Sequence, residues 1–188
     1  MTLRAVVRGV GHYLPARIVE NSEFEATLDT SDAWIRSRSG IERRHFATEG
    51  DTTSSMATAA AKAALADAGL AVDDVDAIVL ATSTADLTFP SAATMVQSQL
   101  GMTRGFAFDV QAVCAGFVYA LANANALIVS GQANRVIVLG DETFQDHGLE
   151  RPQHLRAVRR RRGRAGAGGA GRCRHQAGQG HSGHRSAL

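Results

Sequence analysis

Apolar residues fall into two patterns along residues 4–144. Short, near-continuous runs, Val75-Asp76-Ala77-Ile78-Val79-Leu80-Ala81, Phe106 to Val110 and Arg135 to Gly140, read as buried strands. Arg4 to Val10 reads as a further strand, with Ala5, Val6, Val7 and Val10 apolar and Gly11 and Pro15 ending it. Between these runs lie segments with helical signals. Asn21-Ser22-Glu23 suits the start of a short helix through Leu28, and Ser31-Asp32 caps another carrying Trp34 and Ile35. Gly40 then breaks the chain before a basic strand, Ile41 to Phe46. Asp51-Thr52-Thr53 opens a helix through Ala68 that Gly69 closes, with Ala57, Ala60, Ala61 and Ala64 permitting close packing on a sheet. Ser91 begins a helix ending near Leu100-Gly101, and Cys114 to about Val129 reads as another. Buried strands alternating with helices predict an α/β fold, a mostly parallel mixed sheet covered by helices on both faces.

Charge divides the chain where this patterning stops. The 188 residues carry a formal net charge of +2, but residues 1–144 hold 10 Lys+Arg against 16 Asp+Glu, while residues 145–188 hold 10 against 2. The first part therefore has the mixed, acidic character of a soluble enzyme, and the second is an Arg/Gly/His-rich tail nearly devoid of large apolar residues, expected to be disordered. No run of 18 apolar residues and no basic-then-apolar start is present, so neither membrane span nor signal peptide is expected, and two cysteines give no disulfide framework. These features fit a cytoplasmic protein. Gly9-x-Gly11 lacks the third glycine of a dinucleotide fingerprint.

Candidate chemistry concentrates at Cys114, where the strand Phe106 to Val110 passes through small residues into a helix. A helix start presents unpaired N–H groups and partial positive charge, which favours the thiolate, the nucleophilic form of cysteine. Ala112, Ala115 and Gly116 leave room for an acyl group beside the sulfur. The alternative is that Cys114 is one more small buried hydrophobe.

Four ordered stretches carry a family resemblance. Asp109 to Leu121 resembles the active-site cysteine segment of β-ketoacyl-acyl carrier protein synthase III, a thiolase-fold condensing enzyme of bacterial fatty-acid synthesis. Gly9 to Pro15 resembles its first strand and turn, Asp29 to Ile41 its T-S-D-E-W-I-x-x-R-T-G-I signature, and Phe89-Pro90-Ser91-Ala92-Ala93 its F-P-S-A-A loop. The resemblance implies that residues 1–144 form the N-terminal half of a thiolase-like fold. It implies a decarboxylative Claisen condensation in which an acyl-CoA primer acylates Cys114 and malonyl-acyl carrier protein then attacks, with no cofactor beyond the coenzyme A thioester substrate. By the same resemblance Trp34, Arg38 and Thr30 bind coenzyme A, Phe89 reaches the acyl pocket across a homodimer interface, and the Cys114 N–H helps form an oxyanion hole. Without the resemblance, Trp34 is a helix anchor, Arg36 a solvated neighbour and Phe89 ordinary core. Ala33 stands for the usual Glu and Ser39 for the usual Thr, which bears on primer choice more than on reaction class.

After Asp141-Glu142-Thr143-Phe144 the family pattern stops. Back-translating Gln145 to Arg162 with suitable codons and rereading one nucleotide later yields R-I-M-D-W-N-D-R-S-T-C-V-L-F-G-D-G, which resembles the family's continuation. The expectation is a frameshift near codon 145. The family's His and Asn lie beyond that point, and no role passes to His175, because Gly178 stands where its H-Q-A-N motif has Asn. Cys173, His175, His181 and His184 could be read as metal ligands, but nothing pre-organises them, and no metal is expected. Two other functions compete with the acyltransferase. One is a catalytically dead fold fragment, because half of a fold leaves core-facing helices uncovered. The other is a nonspecific nucleic-acid binder acting through Arg159 to Arg162, although the tail lacks aromatic residues for stacking.

Overall fold

A computed structural model describes residues 4–143. In chain order it contains β1 (Arg17–Glu20), α1 (Asn21–Glu25), α2 (Asp32–Ser39), β2 (Arg43–Phe46), α3 (Thr53–Ala68), β3 (Ala77–Ala81), α4 (Ala92–Leu100), β4 (Phe106–Val110), α5 (Gly116–Val129) and β5 (Val136–Gly140). Single 3-10 turns occupy Val72–Asp74 and Val113–Ala115. The basic tail, including Arg159 to Arg162, Cys173, His175, His181 and His184, lies outside the described residues.

Strand β3 is the middle strand of the parallel sheet. All five of its side chains are buried. It pairs in parallel with β4 on one side and β5 on the other, with Leu80 opposite both Asp109 and Leu139. Because successive side chains of a strand point to opposite faces, β3 feeds two cores. Ile78 and Leu80 pack with Ala57, Ala61 and Leu65 of α3, Ala92, Ala93 and Val96 of α4, and Leu139. Val79 and Ala81 pack with Ala120 of α5. The helices therefore lie on both faces of a parallel three-stranded sheet, as the buried runs predict.

Local signals set the helix ends. Ser31 accepts a hydrogen bond from the Trp34 N–H, Thr52 from Ser55 and Ser91 from Thr94, each satisfying an otherwise unpaired donor of a first turn. Gly40, Gly69 and Gly101 follow α2, α3 and α4 in left-handed conformation, closing each helix.

Three expectations need correction. Arg4 to Val10 forms no strand. It runs against α3 instead, with the Val10 N–H donating to the Asp67 carboxylate at 2.9 Å and Gly9 so close that a Cβ would lie 2.6 Å from the Ala64 carbonyl. Val6, Val7 and Val10 stay exposed, so β-branched residues alone do not make a strand where no neighbour pairs with it. The first helix ends at Glu25, short of Leu28, and has Glu20 at its N-cap, whose N–H donates to the Glu23 carboxylate; Asn21 is buried and spends its side chain on Asp32, the Ile41 carbonyl and Arg44. Finally, the basic strand β2 pairs antiparallel with β1, a segment too short for its periodicity to be read, and these two strands form a sheet of their own.

Candidate functional site

The connection from β4 to α5 puts Cys114 at the carboxyl-terminal edge of the parallel sheet, where open α/β sheets form crevices. Cys114 is exposed and is the centre of the 3-10 turn Val113–Ala115, so the helix proper starts at Gly116, two residues after the predicted Cys114. The expectation of a small buried hydrophobe is thereby overturned. Gly116 is needed where it stands. A Cβ there would come within 3.1 Å of the Ala81 Cβ, and Gly140 makes similar room for the Phe117 ring, so α5 begins in contact with the ends of β3 and β5.

A polar network organises the rest of this edge. Asp109, on β4, accepts from the backbone N–H of Ala92 at 2.9 Å and of Ala93 at 2.7 Å, which ties the start of α4 to the strand leading to Cys114. Asp86 accepts from the Ser54 N–H at the start of α3. Glu142 accepts from the Ser83 N–H and the Thr84 hydroxyl, and Thr53 donates to the Thr84 carbonyl. A cleft of about 350 Å³ opens here, lined by Thr82, Ser83, Leu87, Thr88, Asp109 and Gln111. Asp141 is the perturbed group of the edge. Burial pushes its carboxyl up to about 7, the negative charges of Glu142 and Asp86 add to that, and backbone N–H groups of Glu142 and Ala57 offset part of it. Its Oδ2 is buried without a hydrogen-bond partner.

The residues expected at a coenzyme A entrance sit on and just before α2. Trp34 and Arg38 are one turn apart on α2, and the guanidinium lies 6.0 Å from the indole centroid, within reach of a cation–π contact. Trp34 is 58% exposed, so much of its indole is open to solvent, which a partly buried helix anchor also allows. Thr30 precedes the same helix, and its Oγ1 is buried without a partner. Arg36 pairs with Asp32 and Glu42 at 2.8 and 2.6 Å, and the Arg36 guanidinium together with the Asn21 amide holds the Asp32 carboxyl below the usual carboxylate range. These pairs are exposed and link Arg36 to the start of α2 and to the residue two past Gly40. Phe89, in the loop before α4, is 82% exposed and so is not core. The structure thus groups Thr30, Trp34 and Arg38 on one segment and sets Cys114 and Phe89 on others. Asp109, Asp86 and Glu142 carry no local sequence signal, since each meets backbone N–H groups contributed by a distant segment. Among the described residues, no group of three His, Cys, Asp or Glu could hold a metal ion.

By fold the described residues are an α/β half of the thiolase-like class. The crystal structure of 3-oxoacyl-[acyl-carrier-protein] synthase III from Aquifex aeolicus superposes with a TM-score of 0.70 at 45% identity, over 74% of this chain and 44% of that one. Two curated proteins named β-ketoacyl-[acyl-carrier-protein] synthase III are similar in sequence: that of Ruegeria sp. (strain TM1040) is 84% identical over 144 residues, and that of Ruegeria pomeroyi 78%. Each alignment covers 77% of this chain and 45% of the relative. Residues 108–151, which include Cys114, match the sequence model of the 3-oxoacyl-[acyl-carrier-protein (ACP)] synthase III family. Over these 144 residues the chain is similar to members of that family, and it spans about half the length of the curated relatives it matches.

Proposed function

We propose that this chain carries the acyl-accepting half of a β-ketoacyl-acyl carrier protein synthase III. Cys114 takes the primer acyl group from acyl-CoA as a thioester, and malonyl-acyl carrier protein, on losing CO2, condenses with it. Splitting the exchange at a covalent intermediate replaces one difficult step with two easier ones. The observation that carries this reading is the exposed Cys114 held in a turn between β4 and α5, at the carboxyl-terminal edge of the parallel sheet. Trp34 stacks on the adenine of coenzyme A, Arg38 contacts its phosphates, and Thr30 supplies a nearby polar group. Phe89 projects into the acyl pocket of a homodimeric partner, a role its exposure supports. The reaction takes no cofactor other than its thioester substrates, and the enzyme works in the cytoplasm; no helix among the described residues is long and apolar enough to cross a membrane.

Residues 1–144 form this half as one domain, and residues 145–188 are an out-of-frame tail. Reading the gene with the shift near codon 145 restored supplies the protein for the test. That in-frame protein, given acetyl-CoA and malonyl-acyl carrier protein, is expected to make acetoacetyl-acyl carrier protein, and Cys114→Ala to abolish product. Unchanged product from Cys114→Ala would overturn the proposal.

A second reading applies to the 188-residue polypeptide itself, that it is a fold fragment with little condensation activity. The apolar surface of α5 favours it, because Val118 is 63% exposed and Tyr119 and Leu121 are also open to solvent. Robust condensation by the purified 188-residue chain would contradict it.

A further inference from the structure

Among the described residues, Val113 is the one non-glycine held at positive φ, 47°, and it immediately precedes Cys114. Left-handed backbone is strongly disfavoured for a β-branched residue, so a valine persists there only where its surroundings fix the chain. Both ends of this connection are fixed. β4 is locked in register with β3 as far as Val110, and α5 must begin at Gly116 with its backbone against Ala81 and the Phe117 ring against Gly140. Five residues therefore reverse the chain. Ala112 takes an irregular conformation (φ −140°, ψ 27°), Val113 turns left-handed, and the 3-10 turn follows, closed by the Gly116 N–H donating to the Val113 carbonyl. The Val113 side chain is itself 69% exposed, so burial of that side chain does not offset the strain.

We propose that Val113 is a positioning residue whose left-handed backbone presents the Cys114 thiol at the mouth of the sheet edge, ahead of the first turn of α5. The catalytic meaning of this device rests on Cys114 being the acyl acceptor. The geometry itself can be tested without substrate. In the full 188-residue chain carrying Cys173→Ser, the rate at which iodoacetamide alkylates Cys114 is measured across pH, alongside thermal melting and far-ultraviolet circular dichroism. Val113→Asn, which tolerates left-handed backbone, is expected to keep the alkylation profile and raise the melting temperature. Val113→Pro, whose ring fixes φ near −65°, is expected to stay folded but alter the profile and slow alkylation about tenfold or more. A wild-type profile in folded Val113→Pro would overturn the proposal, as would a lowered melting temperature in Val113→Asn. Should Val113→Pro not fold, Val113→Asn alone decides. Alkylation needs neither coenzyme A nor acyl carrier protein, so an acyl-transfer failure with this series behaving as expected sinks the function and leaves the geometry standing, and the converse pattern sinks only the positioning role.

Discussion

The two faces of β3 are covered unequally. On one, Ile78 and Leu80 are fully buried under α3 and α4, and the residues those helices contribute, Ala61, Ala92, Ala93 and Val96, are fully buried as well. On the other, Val79 and Ala81 meet α5 through Ala120, but α5 leaves Phe117, Val118, Tyr119 and Leu121 in solvent. A helix that shows large apolar side chains on its outer face is normally enclosed by protein, whereas the outer face of α3 shows only Lys62, Asp67 and small alanines such as Ala63 and Ala66. The lesson is that one side of this half-fold is finished by its own helices, while the side carrying the cysteine turn presents a surface suited to further protein.

The sharpest way to break that contrast is to truncate one residue on each side. Leu80→Ala removes a fully buried side chain between α3, α4 and the sheet, and is expected to cost about 2–5 kcal/mol in chemical denaturation. Leu121→Ala on the open side of α5 should change stability by roughly 0.5 kcal/mol or less, and similar losses at both positions would erase the distinction. Next comes the tie between the two sides. Asp109→Ala deletes the acceptor of two backbone N–H groups that start α4, and a loss of about 1–3 kcal/mol is expected by the same measurement; a neutral result would show that α4 is held by packing alone.

Asp141 gives a smaller, pH-dependent effect. Its folded pKa, about 7, stands above the ordinary carboxyl value of 3.8, so between those values the folded state holds a proton that the unfolded chain has released. Its contribution therefore destabilises progressively as pH rises from about 3.8 to about 7 and is constant above. Asp141→Asn should flatten the stability profile over that window, and a profile unchanged by the substitution would contradict the burial of this carboxyl. Least of all in stability, Val118→Lys on the exposed face of α5 should leave melting nearly unaltered while lowering self-association in analytical ultracentrifugation; unchanged self-association would mean that this patch is not adhesive.

The parts of the fold set by near neighbours in sequence were readable from it. Ser31, Thr52 and Ser91 with Gly40, Gly69 and Gly101 mark both ends of three helices, because capping needs only residues a turn away. The apolar runs of β3, β4 and β5 were equally plain as strands, but only β3 is buried along its whole length; β4 has no fully buried residue and β5 only Leu139, because the second core is thinner. Arg4 to Val10 misled because strand propensity says nothing about whether a pairing edge exists. Of the candidate site, the place of Cys114 at the strand-to-helix junction was legible, while its role as nucleophile was implied by the family resemblance. The contacts of Asp109 and Asp86 with helix starts, and the left-handed turn at Val113, were not, because each is imposed by elements that meet only in the folded chain.

The most direct test of the central claim is to incubate the in-frame protein with acetyl-CoA alone, without malonyl-acyl carrier protein, and map the modified peptide by mass spectrometry. A single acetyl group on Cys114, released by hydroxylamine as a thioester should be, is the expected result. Acetylation of another side chain with the Cys114 thiol left free would contradict the account.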